Sequence, residues 1–219
     1  MKLFLDTAEV RAIERRYKTG LIDGVTTNPT LISKLGFKNA RDCVLNITTV
    51  CPELESVSIE VHPSACDDVD AMVLEGSDYR AHKALTTKVP CTPAGLTACK
   101  ILSARGQKTN VTLVFSVAQA ILAAKAGATY VSPFVGRCND NSFSGVELVR
   151  AIASVYREHM VSTQILAASV RDVHQVGRLF AVGADVVTLP PKVFDQMYDH
   201  VLTREGLEKF KADAAAGGL

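Results

Sequence analysis

The sequence predicts an α/β protein folded as a single (β/α)8 TIM barrel with a C-terminal helical tail. Three observations predict it. Eight short β-rich runs recur along 219 residues, and nearly every gap between them holds an apolar pattern of helical period with its own start signal. The runs are continuously apolar rather than alternating, as strands covered on both faces are. A chain of this length with 47% hydrophobic residues also suits one large domain, residues 1–219, better than two small ones. A doubly wound open sheet is the alternative architecture. Its usual signals, G-x-G-x-x-G after the first strand or G-x-x-x-x-G-K-[ST], are absent.

Lys2–Asp6 is the first run, and Thr7 is placed to cap a helix with Val10, Ile13 and Tyr17 on one face, stopped by Gly20. Gly24–Asn28 follows, where Asn28-Pro29 sets a cap before a proline at the first helical position. Ser56–Val61 is the third run and Leu85–Pro90 the fourth, with Thr92-Pro93 opening a helix through Leu96, Cys99 and Leu102. After the fifth, Lys108–Val114, Ser116 precedes Val117, Ala120, Ile121 and Ala124, answered by Gly127. Thr129–Val135 is the sixth, and Leu148, Ile152 and Val155 supply the next helical face. Gln164–Ser169 leads to a helix capped by Asp172 and ended by Gly183, and Asp185–Leu189 is the eighth. The tail, residues 203–219, has Leu207 and Phe210 three apart, enough for a docking helix, before fraying into Ala214-Ala215-Ala216-Gly217-Gly218.

Composition removes several classes of function. The 24 basic and 23 acidic side chains nearly cancel, there is no Trp, and nothing asks for nucleic acid or a membrane surface. Met1 to Leu5 is apolar too briefly for a signal peptide, and no run is long enough to span a bilayer. The six cysteines lack C-x-x-C spacing and read as reduced thiols of a cytoplasmic protein. His62 and Cys66 are four apart but have no second pair to complete a metal site. Asn46-Ile47-Thr48 and Asn110-Val111-Thr112 match the glycosylation acceptor pattern, which has no meaning for a chain that does not enter the secretory pathway.

In such a barrel the chemistry gathers where strands end. Leu85-Thr86-Thr87-Lys88-Val89-Pro90-Cys91 puts one lysine in a mostly uncharged strand. Its head either snorkels to water or serves as a nucleophile, since burial disfavours the charged amine and enriches the reactive one. Asp6 and Asn28 read as helix caps or site residues; Thr112 fits any strand; Arg137 and Arg171 read as surface groups or an anion clamp. Glu60 is a carboxylate among apolar neighbours that needs Lys88 or a water. With Thr26, Asn110, Ser132, Phe134 and Ser169 these closing residues make a coherent set: an amine, two carboxylates, hydroxyls and amides, and two guanidiniums suited to a phosphate monoester. Carbon–carbon bond chemistry on a phosphorylated ketose, with a protonated imine as electron sink, fits it.

Read in order, Phe4-Leu5-Asp6-Thr7, Gly24-Val25-Thr26-Thr27-Asn28-Pro29-Thr30, Thr87-Lys88-Val89-Pro90, Asn110-Val111-Thr112-Leu113-Val114-Phe115-Ser116, Val131-Ser132-Pro133-Phe134-Val135-Gly136-Arg137 and Ala167-Ala168-Ser169-Val170-Arg171 resemble the transaldolase family. The similarity is to its short branch, which includes the fructose-6-phosphate aldolases, and covers nearly the whole chain. It implies that Lys88 forms the Schiff base, Asp6 takes the C4 hydroxyl proton, and Glu60 with Thr112 holds the water that moves protons. It gives Asn28 and Asn110 the dihydroxyacetone unit, helped by Thr26, and Ser132, Arg137, Ser169 and Arg171 the polar and phosphate-binding rim. The aldolases carry glutamine in place of Glu60 and tyrosine in place of Phe134, so both positions here are of transaldolase type. The resemblance therefore implies transfer of dihydroxyacetone from sedoheptulose 7-phosphate to glyceraldehyde 3-phosphate, with aldolase or non-catalytic phosphosugar binding as alternatives. It implies no metal or organic cofactor, and a homo-oligomer, decamer or pentamer. His62-Pro63-Ser64 and Cys138-Asn139-Asp140-Asn141-Ser142 depart from it, so no role passes to His62 or Cys138.

Overall fold

The computed structural model describes residues 1–36, 39–79 and 82–217. Eight parallel strands close into a barrel in chain order: β1 Lys2–Asp6, β2 Gly24–Thr26, β3 Ser56–Glu60, β4 Leu85–Pro90, β5 Thr109–Val114, β6 Tyr130–Pro133, β7 Gln164–Ala167 and β8 Val186–Leu189. The ring shuts where β8 pairs with β1, from Lys2 beside Val186 to Leu5 beside Leu189. All eight expected runs are strands, and several end one or two residues early. The chain must leave the sheet there to enter a loop or helix: Asn28 caps the helix Pro29–Ser33, and Val135 already belongs to the helix Val135–Asp140.

The caps mostly stand as read. Asn28, Thr92, Ser116 and Asp172 accept from the backbone N–H three residues on, at 3.0, 3.0, 3.2 and 3.0 Å. Thr7 does not cap. Its hydroxyl accepts from the Glu9 N–H at 3.2 Å, forming a small turn, and the helix Val10–Tyr17 begins after Glu9. Between β6 and β7 two helices, Val135–Asp140 and Gly145–Glu158, stand where the sequence marked one. The terminal helix Val201–Gly217 starts before Thr203 and continues through the alanines, which are the best helix formers and do not fray it there. None of its residues is buried, and Leu202, Leu207 and Phe210 point into solvent.

Two sets of buried side chains follow from the pleat. Outward strand residues such as Val25, Ile59, Val89, Val111 and Leu189 pack against Ile13, Ile47, Leu102 and Val149 of the surrounding helices. Inside the barrel a smaller group, Phe4, Tyr130, Leu166 and Val186, fills the lower half. Phe4 meets Tyr130 edge-on at 5.9 Å, a pair worth about 0.5–1.5 kcal/mol beyond its buried area. Gly24 makes room for that ring: a Cβ there would lie 2.6 Å from Phe4 Cζ. Below them Lys2 Nζ donates to Glu55 at 2.6 Å and Gln164 at 3.1 Å, and the Tyr130 hydroxyl donates to Glu55 at 3.0 Å.

The rest of the interior is polar, and most of its groups are paired with one another, as buried groups usually are. Ser56 and Thr86 share a hydrogen bond of 2.8 Å, Thr26 and Thr188 one of 2.7 Å. Asn110 donates to Ser58 at 3.2 Å and accepts from Ser132 at 2.7 Å. All six cysteines are free, and burial pushes the Cys43 and Cys51 thiols up to about 11, so neither is a reactive thiolate at neutral pH. Among the described residues no helix is long and apolar enough to cross a membrane.

Candidate active site

Every residue of β4 is buried, and Lys88 retains 5% of its exposure. Strand register sets its neighbours: Glu60 of β3 lies beside it on one side and Asn110 of β5 on the other. The amine approaches Glu60 Oε2 to 2.9 Å and donates to the Thr27 carbonyl at 3.3 Å. The amine thus ends inside the barrel rather than snorkelling outward. A buried charge survives only with such a partner, and the partner is also a proton acceptor within direct reach.

Asp6 ends β1 at the same level and caps nothing. Its Oδ1 accepts from the Thr26 hydroxyl at 2.8 Å. Burial raises its pKa above the ordinary aspartate range, opposed by Lys88 and the Thr26 hydrogen bond and reinforced by Glu60. A carboxyl with a raised folded-state pKa helps stability below its unfolded pKa and loses that help as pH climbs through the folded one. Asp6→Asn should therefore match the wild type in stability in acid and exceed it near neutrality, by about 2–4 °C in Tm. Melting curves across pH check this; equal melting at pH 7 would remove the burial cost assigned to Asp6.

An inner cavity of about 130 Å³ has Asp6, Thr26, Asn28, Lys88, Ser132 and Ser169 in its wall. It adjoins an outer vestibule of about 450 Å³ that includes Glu60, Leu113 and Arg137, and Phe134 borders both. Phe134 is packed against Phe115 at 5.8 Å, and the exposed Arg137 guanidinium lies 4.9 Å above its ring. Leu113 and Ser169 both adopt left-handed backbone, with φ of 60° and 59°. Leu113 does so where the register of β5 against β6 slips between Val111 and Val114, a bulge of the kind that re-aims side chains near sites.

Three expected residues lie outside the cavity and vestibule walls. Asn110 is fully buried in the wall behind Ser132, which it holds. Thr112 is also buried, and its hydroxyl has no hydrogen-bond partner among the described residues. Arg171 is turned from the cavity, with both terminal nitrogens on the carboxylate of Asp140. Sequence reasoning missed Thr188, Leu166 and Ala168 in the cavity wall, and Asp140 beside Arg171. Strand alternation could have found the first three, since each lies an even number of residues from an inward position; nothing in the sequence marks Asp140.

His62 bonds Ser64 through Nδ1 at 2.7 Å and caps the short turn Pro63–Ala65, while Cys138 is buried. Among the described residues no three of His, Cys, Asp and Glu gather as a metal site requires. The arrangement can do imine and proton-transfer chemistry on a small polar substrate: a buried amine, two carboxyls at hand, and hydroxyl and amide groups around a cavity.

Comparison with known proteins identifies the family. Residues 3–217 match the family model described as Transaldolase/Fructose-6-phosphate aldolase. A protein of Paracoccus denitrificans named probable transaldolase is 49% identical over 220 residues, covering 100% of this chain and 98% of the relative. One of Bacillus anthracis named probable transaldolase 2 is 47% identical over 219 residues, covering 98% of each. Among solved structures, thiamine phosphate pyrophosphorylase from Pyrococcus furiosus superposes with a TM-score of 0.58 over 86% of this chain and 85% of its own, at 18% identity, a likeness of the barrel alone.

Proposed function

The chain belongs to the transaldolase/fructose-6-phosphate aldolase family, and from that premise we propose that it is a cytoplasmic transaldolase acting through a Schiff base on Lys88. It moves a dihydroxyacetone unit from sedoheptulose 7-phosphate to glyceraldehyde 3-phosphate, leaving erythrose 4-phosphate and fructose 6-phosphate, a step of the non-oxidative pentose phosphate pathway. The observation that carries this reading is the Lys88 amine, 5% exposed on the cavity wall, with Glu60 at 2.9 Å.

The amine becomes nucleophilic by passing its proton to Glu60 and attacks the ketose carbonyl. The hydroxyl of the resulting carbinolamine takes that proton back from Glu60 and leaves as water while the nitrogen lone pair forms the C=N bond, giving the protonated imine. Asp6 receives the C4 hydroxyl proton as the C3–C4 bond breaks, and the bonding electrons flow into the imine to give an enamine. The new aldehyde departs, and the acceptor aldehyde reverses the sequence. The buried, unpaired hydroxyl of Thr112 suits a water shared with Glu60. Asn28 binds the dihydroxyacetone hydroxyls and Asn110 acts on that unit through Ser132, which it holds; Thr26 orients Asp6, and Ser132, Ser169, Arg137 and Arg171 serve the outer substrate end and its phosphate. No cofactor enters the scheme. Homo-oligomeric assembly, a pentamer or decamer by the resemblance, is part of the proposal, and the exposed Leu207 and Phe210 of Val201–Gly217 are the apolar side chains it would cover.

Phe134 favours transfer over release. Its ring borders both inner cavity and vestibule and has no hydroxyl to orient a water against the enamine. Phe134→Tyr should release free dihydroxyacetone from fructose 6-phosphate several-fold faster while transfer to glyceraldehyde 3-phosphate falls. Both products are assayed side by side; a wild type that releases as fast as it transfers is an aldolase. Borohydride with fructose 6-phosphate tests the enzyme itself, since reduction freezes an imine: a dihydroxyacetone adduct should appear on the peptide containing Lys88. An unlabelled protein would leave only a phosphosugar-binding barrel.

A further inference from the structure

We propose that Asp140 sets the phosphate affinity of this site by holding Arg171, so that a substrate gains its second guanidinium only by displacing a carboxylate. The inference rests on reading the rim as a sugar-phosphate site. Its observations are geometric. Of the two rim arginines only Arg137 lies in the wall of the cavity and vestibule. Arg171, in the loop after β7, gives Nη1 to Oδ1 and Nη2 to Oδ2 of Asp140, across 31 residues of sequence. That is the two-pronged grip a phosphate monoester would also take.

The remaining edge of the guanidinium is already at the rim. Gly136 has no side chain, and a Cβ there would lie 2.8 Å from Arg171 Nε and 2.2 Å from the Ser169 carbonyl. The Gly136 N–H donates to that carbonyl at 3.0 Å, so the arginine crosses bare backbone beside Ser169, which itself faces the cavity. In the proposal, side-chain torsions alone bring the terminal nitrogens inward once Asp140 is displaced. Asp140 ends its helix, where a carboxylate gains nothing from the helix dipole. The Arg171 hydrogen bond holds its carboxyl below the usual aspartate range, and both groups are exposed, so the pair persists at neutral pH and can still exchange with solvent.

The consequence is selectivity by charge. A dianionic phosphate competes well against a carboxylate for one guanidinium, whereas a singly charged sugar acid competes with an equal. With Asp140 present, the rim offers an arriving phosphate about one net positive charge rather than two, which weakens capture and speeds release.

Inorganic phosphate is the probe. Its binding is measured by calorimetry, and its competition against fructose 6-phosphate by kinetics, for wild type, Asp140→Asn, Asp140→Ala, Arg171→Ala and Asp140→Asn/Arg171→Ala. Both Asp140 variants should bind phosphate roughly threefold to fivefold more tightly, the scale of one exposed ion pair. KM for fructose 6-phosphate should fall with it while kcat changes less. In the Arg171→Ala background the Asp140→Asn change should have no effect. Unchanged or weaker phosphate binding in the Asp140 variants overturns the proposal, as does a gain that survives loss of Arg171. Phosphate binding is read without turnover, so a protein that traps no adduct with borohydride would refute the transaldolase reading and leave this measurement standing.

Discussion

Lys88→Ala is expected to lose kcat on the order of 10⁵–10⁶-fold, the scale reported for removing a covalent nucleophile from an otherwise intact site. Without the amine there is no imine, and without the imine the electrons of the C3–C4 bond have no sink. Among the described residues no other amine lines the cavity; the remaining cationic side chain in its wall is Arg137, whose delocalised guanidinium is no substitute nucleophile. The substitution also strips Glu60 of its partner at 2.9 Å, so a second variant, Lys88→Met, keeps the packing of the buried stem and separates lost chemistry from lost fold. Single-turnover cleavage and borohydride labelling of both variants give the answer. Residual activity within a hundredfold of wild type would move the nucleophile elsewhere.

Glu60→Gln is expected to cost roughly 10²–10⁴-fold in kcat, the range of general acid–base assistance. Glutamine keeps the shape and one oxygen against the amine but cannot accept its proton. The loss should fall on imine formation and hydrolysis rather than on carbon–carbon cleavage. Rapid-quench labelling therefore resolves the roles: adduct should appear slowly in the variant and, once formed, cleave at close to the wild-type rate. Full activity would take Glu60 out of the proton path.

The residues that could be read from sequence are those whose position follows from the strand itself. A lysine in an uncharged run and a carboxylate in the next strand over must meet if both strands are inward at the same height, and parallel register puts Glu60 opposite Lys88. Asp6 and Thr26 were legible for the same reason. What escaped depends on contacts made only after the barrel closes. The hold of Asn110 on Ser132 spans 22 residues and its bond to Ser58 spans 52; the slip at Leu113 is a property of two strands together. Arg171 is the sharpest case, because one aspartate at the end of a neighbouring helix decides which way its side chain turns. Thr7 failed on local grounds: a hydroxyl that closes its own two-residue turn is unavailable to cap a helix.

The plugged lower barrel has a consequence for kinetic order. Lys2, Glu55, Gln164 and Tyr130 are bonded across the floor, and the Phe4 ring lies edge-on against Tyr130 inside the barrel. The inner cavity therefore has no back door, and traffic passes through the vestibule at the strand ends. A departing aldehyde and an arriving one must use the same opening in turn. On the proposed Schiff-base reading, the inner cavity of about 130 Å³ leaves no room for two sugars side by side at Lys88, and the expected kinetics are those of double displacement, with the enamine waiting on Lys88 while the aldehydes exchange through the vestibule.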